Sequence, residues 1–144
     1  YKNGPLISPA MFREFCAPHY RKLTGFYRDH GITVVDLDCD GDCRALIPIW
    51  LECGVTCIHP CEAQSGVDVI ELRKQFPRLG MQGGIDKKAI AAGKDSIDRE
   101  LERIAPMLEQ GGFIPHLDHL VPPDISLKNY MYYREQKKKL IGKS

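Results

Sequence analysis

Short apolar runs alternate with longer amphipathic ones along this chain. Residues 32–37, 55–59, 79–83 and 113–115 are brief, rich in β-branched or other apolar side chains, and bounded by glycine or aspartate. Runs of that length and composition predict four strands, of which 32–37 reads as buried and 79–83 is weakened by its glycines. Between them the apolar positions recur at helical spacing. Ser8 followed by Pro9 predicts a helix start, with Met11, Phe12 and Phe15 on its apolar face. Pro18 breaks that pattern, so a short helix followed by a longer one is expected up to His30 and Gly31. Further helices are predicted over 44–52, closed by Gly54, over 68–76 and over 87–92. Two longer ones follow, over 96–110 (capped by Ser96 and bent at Pro106) and over 127–141 (capped by Ser126).

Strand and helix thus take turns from residue 32 onward, and the strands lack a polar–apolar alternation. Buried strands separated by helices imply parallel βαβ units with right-handed crossovers. Four such units fit a doubly wound sheet or half of a (β/α)8 barrel. In either, reactive groups collect where the strands end. That rule brings 38–42, 59–62, 83–86 and 116–119 to one rim, and most of the chain's chemically reactive side chains fall there.

Composition narrows the class. The chain has 144 residues, 43% of them hydrophobic and 27% charged, which suits one globular domain over 1–144 with a core of its own. The net charge of +1 gives no reason to expect a nucleic-acid or membrane partner. No apolar run approaches the length of a membrane span. The start, Tyr1-Lys2-Asn3-Gly4-Pro5, has neither an initiator methionine nor a signal-peptide core, so a piece of a longer protein is expected. Five of the six cysteines lie between 39 and 61, without disulfide-scaffold or zinc-ribbon spacing. Reduced thiols in a cytoplasmic protein are the expectation.

The densest chemistry is at 36–44, where Asp36, Asp38, Asp40 and Asp42 alternate before Arg44. Asp36-x-Asp38-x-Asp40-Gly41 begins like a calcium loop. Position twelve is Ile47 instead of an acid, and a strand precedes the loop where a calcium loop needs a helix.

The order and spacing of several segments resemble the uroporphyrinogen decarboxylase superfamily. They are Asp38-Cys39-Asp40-Gly41-Asp42, Leu46-Ile47-Pro48, Gly54-Val55, Pro60-Cys61-Glu62, Gly83-Gly84-Ile85-Asp86, Gly111-Gly112-Phe113-Ile114-Pro115 and His119-Leu120-Val121-Pro122-Pro123-Asp124. The resemblance spans nearly the whole chain. It implies an α/β fold: the C-terminal half of a (β/α)8 TIM barrel, about four parallel strands with helices. It further implies a carboxy-lyase of porphyrin biosynthesis that uses no cofactor, or else a methyltransferase or demethylase working with a corrinoid protein and a zinc ion. The open strands of half a barrel need a cover, either a missing N-terminal half or a second copy in a homodimer. Alone the chain is expected to be inactive, and a non-catalytic or regulatory half-barrel is a further alternative.

On the resemblance, His119 occupies the place of a histidine after the last strand of the decarboxylases. There it would bind a small-molecule substrate's carboxylate or relay a proton. Asp38 is the other candidate catalytic residue, with Asp40, Glu62 and Arg44 as substrate-binding candidates. Arg44 would act at the start of its helix, or else pair with Asp42. The zinc ligands of the methyltransferases align with Asp38, Asp40 and His119, which replaces soft ligands by carboxylates and argues against the standard zinc site. If a metal binds, Asp38, Glu62 and His119 are the expected set. Asp86 reads as a helix cap, and Asp118 or His116 as a group that orients His119.

Overall fold

In a computed structural model, which describes residues 2–142, four strands form one parallel sheet in the order β1-β2-β3-β4. The strands are β1 (Asp36–Asp38), β2 (Cys57–Cys61), β3 (Gly80–Ile85) and β4 (Phe113–Leu117). They alternate with α3 (Ile47–Glu52), α4 (Val69–Gln75), α5 (Lys87–Ala92), α6 (Lys94–Gln110) and α7 (Leu127–Ile141). The sequential order and parallel pairing are those of an α/β fold with a partial TIM-barrel-like sheet.

The two faces of the sheet differ. Ile58, Met81, Phe113 and Leu117 point into a core shared with Ile47, Leu72, Ile104 and Met107 of the helices. On the other face Asp36, Asp38 and Ile114 are exposed, and His59 and Gln82 half-buried. A parallel sheet is ordinarily covered on both faces; here the second face is open among the described residues. The sequence reading of 32–37 as a buried strand is corrected accordingly. Ile32 and Val34 are exposed, and only Asp36–Asp38 form ladder structure. β1 is an edge, where a β-branched run has a partner on one side only.

Before the sheet comes a continuous helical stretch: α1 (Pro9–Met11), a π-helical segment (Phe12–Cys16) and α2 (Ala17–Asp29). Ser8 caps it by accepting the Met11 N–H, as its sequence implies. The expected break at Pro18 is absent. Proline removes one N–H and crowds the preceding turn, and the wider π segment just before it absorbs both effects. Phe12 packs edge-on against Trp50, and Thr24 donates its hydroxyl to the Cys53 carbonyl. These contacts seat the stretch against α3. Met11 and Phe15, expected on its apolar face, are exposed.

Local chemistry sets the other boundaries. Asp68, Asp86 and Ser126 each accept backbone N–H groups at the starts of α4, α5 and α7. Ser96 does not cap α6; the helix begins two residues earlier, after Gly93, whose φ of 109° admits the sharp turn from α5. α3 starts at Ile47 instead of 44, because Pro48 is suited to a first turn. At the C-terminal end of β3 the backbone of Gly84 has φ +74°, and an added Cβ would overlap the Val69 methyl groups of α4. Below it Glu100, nearly fully buried, accepts from the Asp86 N–H at 2.9 Å and from the Arg103 guanidinium, which also donates to the Gly84 carbonyl. The turn after β3 is thereby fixed to α6.

Gly84→Ala combines left-handed strain with overpacking and is expected to lower unfolding free energy by about 3 kcal/mol in urea melts. Gly93→Ala, where a Cβ meets open space but the backbone lies at φ 109°, ψ −174°, should lose about 2 kcal/mol from backbone strain alone.

Candidate functional site

The rim is assembled from the segments that follow β1, β2 and β4. After β1 the chain turns at Gly41 (φ +84°), and the Gly41 N–H donates to Glu62 Oε2 at 2.9 Å. The Ser65 hydroxyl donates to the same oxygen at 2.9 Å. Glu62 lies just beyond β2, its carboxylate mostly buried. With one oxygen held by the loops, the other faces His119: Glu62 Oε1 is 3.8 Å from His119 Nε2. Asp40 Oδ1 approaches the same nitrogen at 3.6 Å. Ligand atoms of Asp40, Glu62 and His119 all lie within 4.8 Å of one another.

The segments after β2, β3 and β4 are held in register by Asp118, which is fully buried. Its N–H extends the β3–β4 ladder to the Ile85 carbonyl. Its carboxylate accepts the N–H of Gln64 at 3.3 Å and the N–H of Lys87 at 3.3 Å, with the Lys87 ammonium 3.5 Å away. Gln64 belongs to the 3₁₀ turn Ala63–Ser65 after β2, and Lys87 opens α5 after β3. One carboxylate therefore ties three consecutive βα loops, and His119 is the next residue along. The Gln64 side chain adds a bond to Asp86 Oδ1 at 2.6 Å.

Of the residues singled out in the sequence, Asp40, Glu62 and His119 meet. Asp38 does not join them; its carboxylate is 3.7 Å from His59 Nε2 on the open face of the sheet. Asp40 thus stands in the trio where Asp38 was expected. Arg44 is in a turn, not at a helix start, and its guanidinium forks onto Asp42 at 2.7 and 2.8 Å. That bond holds the Asp42 carboxyl below its ordinary range, and it leaves Arg44 engaged within its own loop. His116 Nδ1 donates to the Leu117 carbonyl at 2.6 Å. A second cluster was not foreseen. Asp36 Oδ2 is 2.6 Å from His59 Nδ1 and accepts from Gln82 Nε2 at 2.7 Å. The alternation of aspartates at 36, 38 and 40 was the available signal, since alternate residues of a strand share a face.

The trio offers two carboxylates and one imidazole. Such donors suit a hard divalent cation more than the soft, thiolate-rich shell that activates thiols on zinc. The nearby cysteines do not change this. Burial pushes the Cys43 thiol up to about 12 and the Cys57 thiol up to about 11, and Asp36 reinforces the latter. Cys39 directs its sulfur to the Asp40 carbonyl. Its thiol is also raised, chiefly by burial.

A family model described as "Uroporphyrinogen decarboxylase (URO-D)" matches residues 2–140. No curated protein matches the chain. No helix among the described residues is long and apolar enough to cross a membrane.

Asp118→Ala should cost about 3 kcal/mol of stability, because it strands two loop N–H groups and a half-buried ammonium. Asp38→Ala, whose side chain is largely exposed, should stay within about 0.5 kcal/mol of the parent in the same denaturant melts.

Proposed function

The chain belongs to the uroporphyrinogen decarboxylase family, and from that premise we propose that it forms the C-terminal half of a (β/α)8 barrel that decarboxylates a carboxylated, tetrapyrrole-like substrate without a cofactor. The observation that carries this reading is the position of His119. It sits at the C-terminal rim of four parallel strands, with Nε2 between Asp40 and Glu62. Decarboxylation breaks the bond from carbon to carboxylate and leaves the electron pair on the carbon, which must then take a proton. Imidazole is the side chain best suited to hand over a proton near neutral pH. Asp40 and Glu62 flank the ring at 3.6 and 3.8 Å, and Glu62 is itself held through Gly41 and Ser65. Asp38 stands farther down the same strand face, where it would contact the substrate.

The barrel reading is supported by the uncovered face of the sheet and by its two edges. β1 and β4 each pair on one side only, and the exposed Val34 and Ile114 belong to these ends. A preceding half of the same protein, or a second copy of this chain, would cover them, and the chain alone would be inactive. A cytoplasmic location is the setting in which its six unpaired cysteines would stay reduced.

A second reading, methyl transfer in partnership with a corrinoid protein, draws on the convergence of Asp40, Glu62 and His119 within metal-binding distance. The donor set, two carboxylates and one imidazole, does not match a thiol-activating zinc site. Metal analysis of the complete barrel separates the two readings. One tightly held metal per barrel favours methyl transfer, and an active metal-free protein favours decarboxylation.

In the complete barrel, His119→Ala is expected to lower kcat for CO2 release by about 100-fold or more, the usual contribution of a positioned acid–base group. Asp38→Ala should reduce it by a smaller factor, read in the same CO2-release assay. Unchanged turnover in both variants would end the assignment.

A further inference from the structure

A cavity adjoins the reactive trio at His119. It lies between the end of β4, the loop that follows and α7, and its volume is about 280 Å³. Tyr133, Arg134 and Lys137 of α7 line it, with His116 and His119 on the strand side. No carboxylate among the described residues lines it. Tyr133 is 2% exposed, and its buried hydroxyl has no hydrogen-bond partner among the described residues. Buried hydroxyls are ordinarily paired, and one that is not marks a missing acceptor.

The charges point to the same conclusion. The Lys137 ammonium donates to the Pro115 carbonyl at 3.2 Å and stands 5.4 Å from the centre of the Tyr133 ring. Burial, with repulsion from Arg134 added, draws its pKa below the ordinary lysine value. No ion pair joins Arg134 or Lys137 to a carboxylate among the described residues. Two neighbouring cations, one half-buried, thus lack a carboxylate partner among the described residues, and a third lining residue, Tyr133, has a buried hydroxyl without a partner there. The volume is at the low end for small-molecule sites, enough for one short acid arm and far too small for a whole tetrapyrrole.

We propose that this cavity is a carboxylate-binding subsite, in which Arg134 and Lys137 neutralise one acid arm of the substrate and the Tyr133 hydroxyl donates to it. A guanidinium can take a carboxylate with two parallel hydrogen bonds. His119 is shared between this cavity and the acidic trio, so an arm seated here would keep its negative charge on the basic side of that ring. The identification of the arm as substrate rests on the decarboxylation reading; the anion site itself does not. A carboxylate could also come from a polypeptide segment that pairs with the open edge of β4.

The test is a titration of the chain with sodium propionate, followed by NMR at the amides of 117–121 and the ring of Tyr133. Sodium chloride at equal ionic strength is the control. Saturable shifts confined to these positions, absent with chloride, are expected. Arg134→Gln and Lys137→Gln should each weaken binding about tenfold, and Tyr133→Phe, which keeps the ring packing, about fivefold, as fits charge-assisted hydrogen bonds. The spectra also show that each variant is folded. Shifts scattered over the surface lysines, or affinities unchanged in all three variants, would overturn the proposal. The same titration on the closed barrel distinguishes the two sources. Retained shifts assign the site to a solute, whereas their loss hands it to a neighbouring strand and overturns the subsite. Propionate binding in a barrel that releases no CO2 would leave the site standing and remove the decarboxylation reading alone.

Discussion

The buried carboxylate of Asp118 is the constraint on which the rim depends. A parallel sheet delivers its strand ends to one side, but it does not by itself hold the loops that leave them. Asp118 does so by accepting from the loop after β2 and from the first turn of the helix after β3, at the point where β4 ends. A buried negative charge is unfavourable unless it is paired and hydrogen-bonded. The neighbouring Lys87 ammonium and the two N–H groups meet that requirement only when all three loops are in place. The position of His119, one residue on, follows from this packing.

Around His119 the groups are sorted by charge. Asp40 and Glu62 lie on one side, supported by the Gly41 turn and Ser65. Arg134 and Lys137 lie on the other, with Tyr133, whose hydroxyl has no partner among the described residues. For the acid substrate proposed above, this polarity removes a difficulty, since a rim of carboxylates alone would repel it. Arg44, the cation nearest in sequence to the aspartates, is placed differently. Its guanidinium is already taken by Asp42.

Much of the fold was legible in the sequence because it rests on local rules. The caps at Ser8, Asp86 and Ser126 use side chains that compete for backbone N–H groups wherever they occur. The alternation of strand and helix needs only hydrophobic period and length. The misreadings arose where tertiary context decides. Residues 32–37 look buried by composition, yet they form an edge. Pro18 should break a helix, yet a π segment takes up the change. Of the candidate site, the arrival of Glu62 and His119 at one rim could be read from their place after strands. The preference for Asp40 over Asp38, the pairing of Asp36 with His59, and the cavity lined by α7 could not. Each depends on how a turn or a crossover brings distant residues to one point.

The central claim is that His119 supplies the proton that replaces CO2. Chemical rescue tests it most directly: the rate of CO2 release by the His119→Ala form of the complete barrel, measured with increasing imidazole in solution. A rate that rises in proportion to imidazole, with no such response in the parent, is the result this account predicts, because only the missing proton donor is being restored. A variant as active as the parent, or one inactive and indifferent to imidazole while still folded, would contradict it.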